Sequence, residues 1–143
     1  MGNKLPALTR DELIRRLMDA GVAPTAQRIA VAQYVMCEGD HPTAEEVANA
    51  VRTRLPMISR ATIYNTLGRL VEVGLLREVR VPHDESLHYD GNLDPHHHLI
   101  DKGSGEIVDL DFNEVQIANL DLLRERYRFD KLVVTIEGTI PHA

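Results

Sequence analysis

The stretch SRATIYNTLGRLVEVGLLREVRV, residues 59–81, predicts an amphipathic helix that is followed directly by a β-strand. Ser59 is a favourable N-cap, and Gly74 is placed to end the helix. One face is apolar at helical spacing, and the other carries residue types that bind phosphate or read base edges. The apolar positions are Ile63, Leu67, Leu70 and Val71. The polar positions are Arg60, Thr62, Tyr64, Asn65 and Arg69. This pattern is typical of a DNA-recognition helix before a β-hairpin wing.

The residues on either side of this stretch predict the rest of a winged helix-turn-helix domain. Thr9 and Thr43 are each followed three residues later by glutamate, which is capping-box spacing. Arg28 lies in the first turn of another helix, where it can reach a phosphate. The predicted helices upstream span residues 9–20, 25–38 and 43–54. The predicted hairpin strands are LLREVRV (75–81) and SLHYD (86–90).

The second half of the chain predicts a small α/β unit. The segment GNLDP (91–95) indicates a hinge. Next, HHHLID and EIVDL flank KGSG and predict an antiparallel hairpin. A helix over 113–128 and a strand over 131–138 complete the unit. We therefore expect an α/β (α+β) protein with a winged-helix DNA-binding domain at 1–88, a hinge at 89–95, and a dimerisation and metal-sensing domain at 96–143.

Composition and charge agree with two parts that have different functions. Residues 1–87 carry 11 basic and 11 acidic residues, whereas residues 88–143 carry 5 and 11. The acidic total argues against non-specific polyanion binding, but it permits a local basic face on the neutral half. No apolar run approaches the roughly 20 residues that span a membrane, and the N-terminus lacks the apolar core of a signal peptide. We expect a cytoplasmic protein, with Cys37 as an inert packed thiol.

The histidine run at residues 96–98 lies on the first strand of the second predicted hairpin. Because side chains alternate along a strand, His96 and His98 share one face and His97 points away. If the loop has four residues, Asp109 lies directly opposite His98, with Cβ atoms about 5 Å apart. Two imidazoles and one carboxylate therefore converge.

Two further residues are placed to complete a metal site with this trio. Asp90 precedes His96 by six residues across the hinge, and His41 lies in a loop just before a helix. The predicted metal ligands are therefore His41, Asp90, His96, His98 and Asp109. Three imidazoles and two carboxylates without sulfur suit Fe²⁺ or Mn²⁺, and Zn²⁺ can compete for them.

Other function classes remain open on the residues alone. A His/Asp site with an open position can activate water in a metalloenzyme. However, no separate general base lies near the cluster in the sequence. A metalloenzyme would also leave the predicted recognition helix without a function. A metal-storage or interaction module predicts no operator binding. A regulator that binds metal and double-stranded DNA accounts for both features, so we expect no catalytic residues and no enzyme.

Several motifs together resemble the Fur superfamily of bacterial metal-dependent regulators. They are HPTAEEV (41–47), SRATIYNTLGRLVEVGLL (59–76), LHYD (87–90), HHHLID (96–101) and GEIVDL (105–110). The resemblance covers about Leu13 to Gly138. It implies a homodimer with a winged-helix domain, a hinge, a dimerisation domain and a regulatory metal site on the same five residues. It also implies that Tyr64 contacts DNA.

Within the superfamily, the aspartates at 90 and 109 are similar to those of PerR-type peroxide sensors. Iron-sensing Fur proteins commonly have glutamate at both places. A PerR-type protein binds Fe²⁺, and peroxide reacting there oxidises a ligand histidine and releases the operator. The resemblance thus implies oxidation at His41 or His96. The alternative is an Irr-like regulator. Irr proteins have an HHH run like the one in this chain and can respond to haem.

The chain departs from the usual family pattern at the cysteines. Most members carry a CxxC pair after the histidines and another near the C-terminus, and these pairs hold structural zinc. Here Asp101 and Ser104 stand at the first pair and the tail has no cysteine, so we expect no structural zinc. A C-terminal unit this small therefore needs a metal or a partner subunit for stability. The functions of four histidines stay open, including a second metal site with His97; the four are His83, His88, His97 and His142.

Overall fold

The structure is a computed structural model that describes residues 8–81 and 85–141. The chain divides into two compact units, with the division between Leu93 and Asp94. In the described residues, the first unit contains four α-helices, a π-helical turn and a two-stranded hairpin. The second contains a three-stranded sheet, a 3₁₀ turn and one α-helix. This combination confirms the predicted α+β class.

The α-helices of the first unit begin at hydroxyl residues. Thr9, Thr25, Thr43 and Ser59 each accept a hydrogen bond from the backbone N–H three residues later. An N-cap of this kind satisfies a donor that has no partner inside the helix, which is why the helix starts were predictable. The elements are α1 (Arg10–Asp19), α2 (Ala26–Gln33), the π-helical turn (Tyr34–Glu38), α3 (Ala44–Arg52), α4 (Arg60–Glu72), β1 (Arg77–Arg80) and β2 (Leu87–Asp90).

The inward faces of these helices share one apolar core with the hairpin. Ile63, Leu67 and Leu70 of α4 are completely buried, as the periodicity predicted. Leu76 and Tyr89 of the hairpin region belong to the same cluster. Strands β1 and β2 pair antiparallel, so the first unit is a winged helix, as predicted.

The second predicted helix is not α-helical throughout. We predicted one helix over 25–38, but its last five residues form a π-helical turn. The turn is closed by the Gly39 N–H, which donates to the Tyr34 carbonyl at 2.7 Å. Apolar periodicity could not reveal this change, because five residues are little more than one helical turn. A Cβ atom at Gly91 would lie 2.9 Å from the Met36 Cα, so glycine permits the close approach of that segment to the turn.

The second unit is built on β3, the strand that carries the histidine run. Its sheet has the order β4–β3–β5, with β3 antiparallel to β4 and parallel to β5. The register pairs His98 with Asp109 and Ile100 with Ile107, which confirms the predicted hairpin. The elements are β3 (His96–Asp101), β4 (Ile107–Asp111), the 3₁₀ turn (Phe112–Glu114), α5 (Leu120–Arg126) and β5 (Thr135–Gly138).

The segment after β4 is less helical than predicted. We predicted a helix over 113–128, but only the seven residues of α5 are α-helical, and Val115 is extended. Val115 and Ile117 are two residues apart, and this is strand spacing, so their apolar character was wrongly assigned to a helix face. The strand predicted over 131–138 was also too long, because β5 begins at Thr135.

Within residues 8–81 and 85–141, no helix is long and apolar enough to cross a membrane, and the longest α-helix has 13 residues. Residues 82–84 of the predicted wing turn lie outside the described residues, as do His83 and His142.

Candidate metal centre and DNA-binding surface

The first unit brings two predicted metal ligands, His41 and Asp90, next to each other. His41 lies between the π-helical turn and α3, and Asp90 ends β2. Both side chains are buried, and His41 Nε2 lies 3.6 Å from Asp90 Oδ2. This distance is too long for a good hydrogen bond. The two atoms are therefore a candidate pair of ligands for one cation.

His41 is fixed by its backbone conformation and by two hydrogen bonds. Its φ of 47° lies in the left-handed region, which non-glycine residues rarely adopt. Its Nδ1 donates to Asp40 Oδ1 at 2.8 Å, and its carbonyl accepts from His88 Nδ1 at 2.6 Å. A carboxylate can only accept, so in the neutral ring the proton is on Nδ1 and the lone pair is on Nε2.

Asp90 is fixed by the residues that follow it. The Asn92 N–H donates to Asp90 Oδ1 at 2.9 Å, which forms an Asx turn and leaves Oδ2 on the side of His41. Arg77, the register partner of Asp90 in the hairpin, donates to the Leu93 carbonyl at 3.2 Å. The wing hairpin therefore positions both the ligand and the segment that leads out of the unit.

The second unit brings His96, His98 and Asp109 together on one face of its sheet. The two imidazole Nε2 atoms lie 3.1 Å apart, and each lies 3.5 Å from Asp109 Oδ1. His96 Nδ1 donates to the Asp94 carbonyl at 2.5 Å, so in the neutral ring Nε2 keeps its lone pair. Two imidazoles and a carboxylate that converge in this way are a donor set for a divalent transition metal. The residues of this unit thus fit the predicted ion.

His97 points away from this trio, as predicted. Its ring stacks on Phe112 with centroids 4.8 Å apart, and its Nδ1 accepts from the Val134 N–H at 2.9 Å. Burial, and then the charges of His96 and His98, lower the pKa of His97. The ring is therefore neutral with its proton on Nε2, a buried atom that has no hydrogen-bond partner among the described residues. Such a ring serves packing rather than metal binding.

The polar face of α4 is exposed, as expected for a recognition helix. Tyr64, Asn65 and Arg69 are all exposed. The Arg60 guanidinium lies over the Tyr64 ring, 5.7 Å from its centroid, and pairs with the Glu45 carboxylate of α3. Two cations and an aromatic ring are thus exposed along this helix, a composition that suits phosphate and base contacts.

The other two predicted DNA-binding residues have partners within the chain. The Thr62 hydroxyl is hydrogen bonded to the Ser59 hydroxyl at 2.8 Å, where the two residues form the helix cap. Arg28 is half-buried, and its Nη1 donates to the Ala23 carbonyl at 3.2 Å. The assignment of these residues to DNA contacts stays a prediction.

Asp101 and Ser104, which stand where relatives are expected to have cysteines, bond to each other. The buried Asp101 carboxylate accepts from the Gly103 N–H and from the Ser104 hydroxyl, both at 3.0 Å. These bonds close the loop of the second hairpin. The four-residue loop was predicted from the sequence, but the hydrogen bonds that Asp101 makes within it were not.

Asp40 and His88, which hold His41, were also absent from the predicted site. The signal for Asp40 was present, because an acidic residue directly precedes the histidine in GDHPT. Whether Asp40 contacts the His41 ring depends on the direction of that ring, which follows from the left-handed backbone at His41. Periodicity and motif spacing carry no information about that backbone conformation.

A sequence model of the ferric uptake regulator family matches residues 19–136. The chain is 38% identical over 109 residues to the peroxide-responsive repressor PerR of Staphylococcus aureus, and the alignment covers 74% of this chain and 73% of that protein. It is 37% identical over 105 residues to the Staphylococcus epidermidis protein of the same name, which covers 73% and 69%.

Solved structures show the same fold. The Vibrio cholerae ferric uptake regulator superposes with a TM-score of 0.74 at 18% identity, covering 89% of this chain and 98% of that one. The Campylobacter jejuni peroxide stress regulator superposes with a TM-score of 0.70 at 24% identity, covering 92% and 96%. These two structures show the fold. The sequence matches show that this chain belongs to the ferric uptake regulator family.

Proposed function

We propose that this protein is a metal-dependent transcriptional repressor that binds double-stranded DNA and responds to peroxide. The observation that carries the proposal is the convergence of His96 Nε2, His98 Nε2 and Asp109 Oδ1, all within 3.5 Å of one another. Family membership adds support, because these proteins are transcriptional regulators and not enzymes. The relatives with 37–38% identity are named peroxide-responsive repressors.

We assign the regulatory ion to ligands from both units. His41 and Asp90 contribute from the winged helix, and His96, His98 and Asp109 contribute from the second unit. An ion held by both sets restricts the orientation of one unit relative to the other. Orientation matters because a dimeric winged helix must match the spacing of two DNA half-sites. Metal binding then shifts the population of DNA-binding conformations.

The donor set favours Fe²⁺ or Mn²⁺, and Zn²⁺ competes for it in vitro. A bound Fe²⁺ would supply the redox chemistry that activates peroxide, and Mn²⁺ would not. His41 and His96 each have a hydrogen-bonded Nδ1, so their Nε2 atoms are the ones aimed at the ion. We expect one peroxide oxygen to enter the ring of His41 or of His96 and the other to leave as water, which would weaken metal binding and release the DNA.

We assign the single cysteine, Cys37, no part in this response. Burial raises the pKa of the Cys37 thiol. A backbone hydrogen bond with Leu8 lowers this pKa, but its effect is smaller. A raised pKa reduces the fraction of reactive thiolate at neutral pH. Sensing at the metal therefore accounts for peroxide sensitivity better than thiol oxidation does.

The remaining assignments concern partners and location. We propose a homodimer formed through the second unit, with α4 reading a DNA operator in the cytoplasm. In support, α5 has no buried residue, and apolar side chains of this unit are exposed. The exposed residues are Leu122, Tyr127, Phe129 and Ile136. We further propose that no structural zinc is bound, since the Asp101–Ser104 bond holds the loop in its place.

A DNA-binding assay tests the proposal. An operator is first selected from a pool of random duplexes, and its binding is followed by fluorescence anisotropy under anaerobic conditions. We expect tight binding with Fe²⁺ or Mn²⁺ and at least tenfold weaker binding with chelator. Dilute peroxide should abolish binding of the Fe²⁺ form and spare the Mn²⁺ form.

The same assay separates the alternative functions. Loss of binding on addition of haem, with no effect of peroxide, would favour an Irr-like regulator. Failure to select any operator would favour a metal-storage module. Binding that is equal with metal and with chelator would overturn metal dependence itself.

A further inference from the structure

The orientation of His41 depends on a neighbouring side chain that belongs to no predicted ligand set. The Asp40 carboxylate accepts from His41 Nδ1 at 2.8 Å, and the opposite ring atom, Nε2, faces Asp90 Oδ2 at 3.6 Å. We propose that Asp40 is a positioning residue for the regulatory ion, which it serves by holding the His41 proton on Nδ1 and so presenting the Nε2 lone pair to the metal. This inference rests on the proposed function and deepens it.

The chemistry follows from the two nitrogens of a neutral imidazole, of which one carries the proton and the other the lone pair. A hydrogen bond made by one nitrogen decides which of the two is available as a ligand. Without Asp40, the proton can move to Nε2 and be donated to the Asp90 carboxylate. That bond would occupy both ligand atoms of the first unit. Asp40 therefore suppresses a competing contact within the pair.

His41 differs from His96 in what holds its Nδ1. His96 donates to the main-chain carbonyl of Asp94, an acceptor that no substitution removes. His41 instead relies on a side chain that is 57% exposed. Its backbone is held independently by the bond from His88 to its carbonyl. A substitution at Asp40 should thus change the proton position and leave the loop in place.

Outer-shell partners of metal-binding histidines typically contribute about 10–100-fold to metal affinity. Because Asp40 is exposed to solvent, we expect the lower end of this range. Asp40→Ala should weaken Mn²⁺ binding about tenfold. Asp40→Asn keeps an oxygen acceptor and should restore most of the affinity. Asp19→Ala removes one negative charge from the exposed end of α1 and should bind as the unchanged protein does.

The experiment combines two measurements on the full-length protein. Anaerobic Mn²⁺ titration followed by electron paramagnetic resonance gives the affinity. Long-range ¹H–¹⁵N NMR spectra of the metal-free protein, with His41 assigned by His41→Gln, show which ring nitrogen carries the proton. We expect the proton on Nδ1 in the unchanged protein and in Asp40→Asn, and a shift toward Nε2 in Asp40→Ala.

Two results would overturn the inference: unchanged Mn²⁺ affinity in Asp40→Ala, or an unchanged proton position in that variant. Failure of the metal site itself looks different, because His41→Gln would then bind Mn²⁺ as tightly as the unchanged protein. The NMR measurement does not depend on that outcome, since it is made without metal.

Discussion

At the scale of single residues, the candidate centre is organised by hydrogen bonds that orient the side chains of its ligands. His41 and His96 both use Nδ1 as a donor, to a carboxylate and to a carbonyl respectively. Asp90 uses Oδ1 to accept from the Asn92 N–H, while its Oδ2 faces His41. The ligand atoms are therefore selected by partners outside the ligand set, as is general for metal sites.

The ligands themselves were predictable from the sequence, but their partners were not. Alternation along β3 and the four-residue loop were sufficient to place Asp109 opposite His98. The partner of His41 depends on a left-handed backbone at a non-glycine residue. No residue pattern encodes that conformation, since it is imposed by the surrounding contacts.

The Asp101 turn gives a prediction about stability. Asp101→Ala removes the acceptor of two hydrogen bonds in a buried position and leaves the Gly103 N–H without that partner. We expect it to lower the free energy of unfolding by about 1–3 kcal/mol. Ser104→Ala removes one of the bonds and should cost about 0.5–1.5 kcal/mol. Urea denaturation of the metal-free protein measures both, and equal stability of all three proteins would refute this account of the loop.

At the scale of elements, helix caps and the β3–β4 register were predicted well because each depends on short-range chemistry. The four N-caps follow from hydroxyl side chains, and the register follows from a tight loop. One failure lies where two periodicities compete. The segment over 113–128 contains apolar residues at both strand and helix spacing, and its backbone forms only one short helix.

The recognition helix gives a prediction about DNA specificity. Tyr64 is exposed on α4 beside Arg60, and we expect its ring to touch a base. Tyr64→Ala should lose about 1–3 kcal/mol of binding to the selected operator, with little effect on random duplexes. Arg69→Ala should instead weaken binding to all duplexes equally. It should also reduce the magnitude of the negative slope of log affinity against log salt by about 1.

Anisotropy titrations at four salt concentrations measure both effects. Arg69 is exposed, and its Nη1 lies 3.3 Å from Glu72 Oε2. Glu72→Gln is therefore a suitable control, because it removes this ion pair and keeps the arginine. Operator affinity that stays unchanged in Tyr64→Ala would move the reading surface away from α4.

At the scale of the whole molecule, the two units differ in how well they bury apolar residues. The winged helix has an extensive core, whereas most residues after β4 are exposed or half-buried. A unit of about 50 residues rarely has a sufficient core alone. The length of this unit predicts the shortage, but the sequence does not show which surface completes the core, a role that we propose for a partner subunit.

The exposed apolar residues of the second unit predict a dimer that persists without metal. Sedimentation after chelation should give about twice the chain mass of 16.1 kDa. Leu122→Asp should shift the protein toward the monomer. Met18→Asp, a matched change at an exposed residue of α1, should leave the dimer intact. A folded monomer in the unchanged protein would contradict the proposed assembly.

We have proposed that one ion, held by residues of both units, makes the protein sensitive to peroxide. Peptide mass spectrometry after dilute peroxide tests it most directly, with the Fe²⁺ and Mn²⁺ forms treated side by side. We expect one added oxygen, located by fragmentation to His41 or His96 itself rather than to the nearby Met36 or Cys37, in the Fe²⁺ form alone. Equal modification in both metal forms, or no modified histidine in an Fe²⁺ form that still releases DNA, would contradict it.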